Sequence, residues 1–543
     1  MRFIALLLIA SFSFVHAYEG GCGTMQVLQN IINKRKQPRL ASIKFDYERC
    51  SYEQYYDSVY TIETPHIQVL YVLNGPHATT KAFADSTAKS MEEAWNYYVN
   101  KLKMRAPKGP SISHHYQHKV KEGLYPIEII DVEQIRDPDG SYTCNACFAL
   151  TIPLDDPTTS QIFLDNDFYY GAWDNYNKEE ITVNGTTCSY AKGYIPLRNS
   201  AHNFSYANEW AKGIRLTVFH EFYHAIQLQY LNVIMDNHLF WFEASATGFE
   251  EITNSDIDDY FSYIPSLFRD MGEPLSKVNQ YNSHKIYGVS TFFLYLFHRV
   301  SNEFDRSIWE SFSKNPTKPF EYQFETSLKP YHLDADSIFH DYTVRLSLSG
   351  SKSKSISKKE WIVNDQPEWP SALFYDQDSI KPELESLAFK FYRTSDNYVE
   401  PDFTDFIGKA SVITFNNGTA SPYTIQNTKT LDSLSSVLTT SDSTLWIFSR
   451  FGDSESIPLV NKDAAPHAYP VPWRQGPLCF APLPHDKKFI EIRTRRGDLV
   501  SQEKYLSNKY CLSEDKVKSM MAPGVYRFRV GNKGKTTSFM VMY

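Results

Sequence analysis

Val218–Gln229 reads V-F-H-E-F-Y-H-A-I-Q-L-Q. His220 and His224 stand four apart, and Glu221 follows the first, all inside an apolar run. Buried imidazoles and carboxylates without partners are costly, so such a stretch needs something polar to meet them. On a helix, residues four apart share a face, with Cβ atoms ~5–6 Å apart. Both rings can therefore aim at one point. Glu221 is turned by about 100° from His220, off that line but within reach of a small molecule held there.

This is the arrangement that binds zinc and activates water. Zinc takes nitrogen and carboxylate ligands, lowers the pKa of a bound water to about 7, and leaves a neighbouring carboxylate to take the proton. A catalytic zinc needs a third protein ligand. Eighteen residues separate His224 from Glu243, in W-F-E-A-S-A-T-G-F-E-E. The expected metal ligands are His220, His224 and Glu243, the expected general base Glu221, and the expected cofactor Zn2+. Glu250 lies two turns beyond Glu243 on the same face and reads as a solvated helix residue rather than a support for the site. Thr247 is placed to brace a ligand imidazole.

This spacing resembles that of the gluzincin peptidases, notably the zinc aminopeptidases, whose second motif is W-x-x-E-G-x-A. Here Trp241 and Glu243 are one residue closer and Ala244 stands where glycine is usual. The chain is also similar to a poorly characterised group of secreted proteins with zinc-peptidase motifs, best known from bacteria. They show H-E-F-x-H-A-I-Q followed by W-x-E-x-x-A-x-x-x-E, a downstream Y-G, here Tyr287-Gly288, and C-terminal β-sandwich domains. In the aminopeptidases a tyrosine donates to the anionic intermediate. The resemblance gives that role to Tyr287, with His284 as the alternative. Gly171-Ala-Trp-Asp-Asn175 is similar to the motif that holds a substrate's free amine, but lies in what reads as an inserted loop. An endopeptidase is therefore favoured over an aminopeptidase.

The flanking pattern suits a zincin-like catalytic domain over residues 65–360. Ile67–Leu73, Tyr125–Val132, Cys147–Ile152 and Gln161–Leu164 read as strands. Ala82–Leu102 has apolar residues at helical spacing between the first two. In zincins the edge strand beside the metal helix holds substrate as an added strand. Residues 18–64 read as a polar cap or propeptide, and Ser349–Lys359 as a lysine- and serine-rich surface loop or linker. From 375 the strand signals Ala388–Tyr392, Ser411–Phe415, Leu445–Phe448, Phe489–Arg493 and Val525–Val530 predict a β-sandwich over 375–460 and a C-terminal β-domain over 461–543. The expected fold class is α+β, a zincin-like domain followed by one or two antiparallel β-sandwich domains.

Residues 1–17, M-R-F-I-A-L-L-L-I-A-S-F-S-F-V-H-A, read as a secretory signal peptide. No later run is apolar enough to span a bilayer, so no membrane span is expected. Asn184, Asn203 and Asn417 head glycosylation sequons. Seven cysteines in an oxidising compartment should mostly pair. Nearness in sequence suggests Cys22–Cys50, Cys188 with Cys144 or Cys147, and Cys479–Cys511, with one thiol left over. The formal net charge is −8 and no basic cluster is interleaved with aromatics, which argues against nucleic acid as a partner. The 37 tyrosines and 36 phenylalanines suit β-structure and peptide or carbohydrate clefts. Two readings result. One is a secreted zinc peptidase acting on protein or peptide, its β-domains open to glycan or surface contacts. The other is an inactive zincin scaffold serving as a surface-binding or adhesive protein.

Overall fold

The computed structural model describes residues 21–22, 24–35, 58–132 without 75–76, 147–168 without 155 and 157, 178–191 without 184–185, 209–277 without 232–233, 283–393 without 377–379, 401–452 without 404–405, and 467–543 without 482, 484–488, 506–508 and 532–535. The signal sequence, Cys50, Cys144, Gly171–Asn175, Asn184 and Asn203 lie outside these residues, as does the side chain of Cys188.

A six-stranded sheet carries the N-terminal part. Its strands are β1 (Gly21–Cys22), β2 (Tyr60–Glu63), β3 (Ile67–Tyr71), β4 (Tyr125–Ile130), β5 (Cys147–Pro153) and β6 (Ser160–Asp165), in the order β1-β5-β6-β4-β3-β2. β3, β4 and β6 run parallel, whereas β5 runs antiparallel to β6. β1 lies parallel to β5 along its outer edge, with Cys22 opposite Ala149.

Both faces of this sheet are covered, which explains the near-continuous apolar runs of its strands. Alternate residues point to opposite faces. Ile67, Val69, Ile127, Ile129, Ala149, Ile162 and Leu164 join the main core. Leu70, Ile130, Leu150, Ile152 and Phe163 form a second cluster with Tyr116 on the other face.

Four helices build the main core against the sheet. They are α1 (Thr24–Arg35), α2 (Lys81–Trp95), α3 (Trp210–Leu228) and α4 (Asp236–Thr253). Thr80 caps α2 by accepting from the Phe83 N–H at 3.1 Å. A π-helical turn, Asn96–Lys101, continues α2 and sets the Tyr98 hydroxyl 3.2 Å from the Phe219 carbonyl of α3. α3 is buried without interruption from Val218 to Leu228. α4 starts at Asp236 and packs on helix Ser290–Arg299. Gly248 allows that approach, because a Cβ at its position would fall 2.1 Å from Cδ1 of Phe293. Asp305 ties three segments together. It accepts from Trp241 Nε1 at 2.8 Å and Trp309 Nε1 at 2.9 Å, and from the Tyr223 hydroxyl.

The stretch 349–359, expected as a surface loop or linker, lies mostly at the surface and folds into short 3-10 turns, with Ser349, Gly350 and Ser353 buried. The Trp361 indole donates to the Ser353 carbonyl at 2.9 Å, which pins this lysine-rich stretch to its neighbours.

Beyond it, a five-stranded sheet runs Thr419–Ile425, Lys409–Asn416, Ser443–Arg450, Ala388–Arg393, Tyr375–Asp376. Phe389, Phe391, Ile413, Leu445 and Ile447 on one face join the main core. Val412, Trp446 and Phe448 on the other pack with Leu431 and Leu438 of helix Thr428–Thr440. The C-terminal part is two small sheets around one core. Leu478, Phe480 and Leu512 come from the first, and Ile490, Ile492, Phe528 and Phe539 from the second. The molecule is thus α+β, a helical domain followed by β-sandwich-like domains. Cys479 and Cys511 face each other across two strands of the first small sheet and are disulfide-bonded, as expected. Cys147 is also in a disulfide. Cys22 is free, so the expected Cys22–Cys50 pair is not formed. Asn417 sits exposed in the turn between two strands. Among the described residues no helix is long and apolar enough to cross a membrane.

Candidate metal centre

α3 and α4 bring His220, His224 and Glu243 together. Nε2 of His220 lies 3.2 Å from Oε2 of Glu243, and Nε2 of His224 lies 3.5 Å from Oε1 of the same carboxylate. The rings of His220 and His224 are edge-to-face, 4.5 Å between centroids. His224 and Glu243 are fully buried and His220 is 4% exposed. Their four facing atoms have no hydrogen-bond partner. Buried polar atoms are almost always satisfied, so a cluster of orphans pointing at one another marks the place of a ligand. Two imidazole nitrogens and a carboxylate suit zinc.

The other ring nitrogens are occupied, which fixes how the rings present themselves. His224 Nδ1 meets Gln227 Oε1 at 2.7 Å, and the Gln227 amide donates to the Phe242 carbonyl and Ser245 Oγ, both at 2.9 Å. The ring of His224 also stacks on Phe242 at 4.3 Å. Nδ1 of His220 hydrogen-bonds Glu250. Glu250 is therefore a largely buried partner of His220 and not the solvated residue expected. Burial pushes its carboxyl up to about 7, against the pull of His220. Burial also raises Glu243, but the two imidazoles more than offset this and hold it at about 2. Thr247, expected to brace an imidazole, does not do so; its buried hydroxyl has no partner.

Glu221 is fully buried beside the cluster. Its Oε2 accepts from Thr151 Oγ1 of β5 at 2.6 Å and from Thr24 Oγ1 of α1 at 2.9 Å. Its Oε1 has no partner. A cleft opens over these groups, lined by Cys22, Ala149, His220, Glu221, Tyr263 and Tyr287 among others. Tyr287 is thus at the site, stacked on Tyr263 at 4.9 Å. Burial raises both phenols well above 10, reinforced by the charge of Glu243 at Tyr287 and of Asp259 at Tyr263, so both keep their protons as donors at neutral pH. His284, the alternative donor, lies against Tyr263, 6.1 Å between ring centroids.

Sequence reasoning missed five participants. Gln227 carried a local signal, since it stands one turn from His224 inside the motif. Thr24, Thr151 and Tyr263 carried none, because each reaches the site through the tertiary fold. The fifth newcomer is Cys22, whose Sγ lies within 4.8 Å of a ligand atom on each of His220, His224 and Glu243.

No family model matches the chain, and no curated protein matches it. Among solved structures, an aminopeptidase N family protein from Idiomarina loihiensis is similar over 89% of this chain and 66% of its own, with 11% identity and a TM-score of 0.29. PorZ, a surface component of the type-IX secretion system of Porphyromonas gingivalis, is similar over 18% of this chain and 14% of its own, with 20% identity and a TM-score of 0.13. The chain thus spans less than two thirds of either. Both scores lie below the range of a shared fold.

Proposed function

We propose that the protein is a secreted zinc-dependent peptidase, an endopeptidase, with His220, His224 and Glu243 as metal ligands and Glu221 as general base. The observation that carries this reading is the set of orphaned buried atoms on these three residues, with a partnerless oxygen of Glu221 beside them. When bound, zinc supplies Lewis acidity toward a water and a scissile carbonyl.

The chain's own residues do the rest. Thr151 holds Oε2 of Glu221, which leaves Oε1 turned to the cleft to take a proton from water and return it to the leaving amine. Glu250 and Gln227 fix the two imidazoles so that both present Nε2 inward. Tyr287 is the donor to the developing oxyanion, its proton retained by burial. The outer edge of β5, where β1 is paired in this structure, is the edge beside the metal helix that an extended peptide would take.

The test is zinc content of the purified protein, followed by peptide-library hydrolysis with and without a chelator. We expect one zinc per chain and hydrolysis that the chelator abolishes. Glu221→Gln should retain the zinc and lose at least ~100-fold in turnover, since the amide cannot accept the proton. Near-full activity in Glu221→Gln would overturn the mechanism. Absence of zinc after loading would overturn the metal centre.

A further inference from the structure

The same site holds a group that a hydrolase does not require. Zinc in catalysis uses three protein ligands and keeps the fourth place for water, whereas a closed site is filled by protein. Cys22 supplies a fourth donor. Its sulfur shares the 4.8 Å cluster with His220, His224 and Glu243, whose facing atoms have no hydrogen-bond partner. Cys22 is free of any disulfide, and its sulfur accepts a 3.3 Å hydrogen bond from the Thr24 N–H.

The residues around Cys22 occupy the rest of the cleft. β1 is paired along the outer edge of β5, the edge on which an extended substrate would be laid. Two residues on, Thr24 donates its hydroxyl to the carboxylate of Glu221 at 2.9 Å and accepts the Thr151 N–H at 2.7 Å. One short segment therefore meets the metal ligands, the general base and the substrate edge together. α1 anchors it, with Met25, Val27, Leu28 and Ile32 buried.

We propose that Cys22 is a thiolate ligand of the metal, and that Cys22 and Thr24 hold the centre in a latent state released only when they leave the cleft. The proposal rests on the reading of His220, His224 and Glu243 as the metal site. On binding, the thiol proton passes to solvent and a sulfur–metal bond forms. Departure of the segment breaks that bond and opens the fourth position to water. It also frees the edge of β5 and leaves Glu221 held by Thr151 alone.

Cobalt(II) is the probe, loaded into the metal-free full chain. The wild type should show visible d–d bands of a tetrahedral site and a near-ultraviolet thiolate-to-cobalt charge-transfer band. Cys22→Ala should keep visible bands and lose the charge-transfer band. In the wild type, maleimide should label Cys22 only after a chelator removes the metal, which requires no variant. Zinc-loaded Cys22→Ala should hydrolyse peptides at least ~10-fold faster than the wild type, since the competent state is no longer a minor fraction. Visible bands without charge transfer in the wild type, or maleimide labelling as rapid with metal as without, would overturn the thiolate ligand while leaving the metal site standing. Equal hydrolysis by wild type and Cys22→Ala would overturn latency. Absence of cobalt bands from both proteins would instead overturn the metal site itself, and this proposal with it.

Discussion

Glu250 hydrogen-bonds Nδ1 of His220 from a position two turns along α4 from Glu243. On the proposed reading, one helix supplies both a ligand carboxylate and the carboxylate that orients another ligand. Loss of such an outer partner usually costs 10- to 100-fold in metal affinity. Glu250→Ala is expected to fall in that range, and Glu243→Ala to lose more, because it removes a donor outright. Competition against a graded series of chelators measures both, with circular dichroism as the folding control. Equal affinity of Glu243→Ala and wild type would remove the third ligand.

Tyr287 and Tyr263 stack over the cleft, and only one is assigned a role in turnover. Tyr287→Phe should lower kcat by about 100-fold, the usual cost of one oxyanion donor, with little change in KM. Tyr263→Phe should change kcat by far less. Steady-state kinetics on one peptide separates the two, and a reversed order would give the donor role to Tyr263.

Burial pushes the Asp305 carboxyl up to about 7, although hydrogen bonds from Tyr223, Trp241 and Trp309 pull it down. The native chain then holds a proton that the unfolded chain gives up near 4. Its contribution to stability is fully present below about 4 and is lost as pH rises through about 7. Asp305→Asn should flatten that part of the stability profile. Urea unfolding at stepped pH reads the slope, and an unchanged slope would show that Asp305 does not titrate there.

Gly248→Ala sets two effects against each other. Alanine favours a helix by about 1 kcal/mol over glycine. The new Cβ, however, would lie 2.1 Å from Cδ1 of Phe293, whose ring is buried and hemmed by Phe249 and Phe297. Overpacking costs about 1–3 kcal/mol. Net destabilisation is expected, read as a lower urea midpoint.

The parts of the site that lie on single helices could be read from the sequence. The four-residue step from His220 to His224 follows from helix geometry, and Glu243 lies on the neighbouring element after a short turn. Glu250 lay in the same stretch, but its partner is on another helix and no local pattern gives the angle at which α4 meets α3. Thr151 and Thr24 reach Glu221 across 70 and 197 residues, so nothing near the motif announces them. The odd count of seven cysteines did point to a spare thiol. It did not say which, because nearness along the chain is a poor guide to nearness in the fold. The strands were legible from their apolar runs. The lysine-rich stretch at 349–359 was legible as surface from its lysines, whereas the buried contacts of Ser349 and Ser353 left no local signal.

The 197 residues between Thr24 and Glu221 also set a clock on biosynthesis. At ~5–20 residues per second, roughly 10–40 s pass between synthesis of the two ends of that contact. Through that interval Cys22 lacks its neighbours His220, His224 and Glu243, while Cys147, which ends in a disulfide, is made before His220. Oxidative folding of this chain is therefore a race between early disulfide exchange at Cys22 and the later arrival of α3 and α4. Early metal supply and a moderate oxidant should raise the yield of correctly paired protein, and a strong oxidant should lower it.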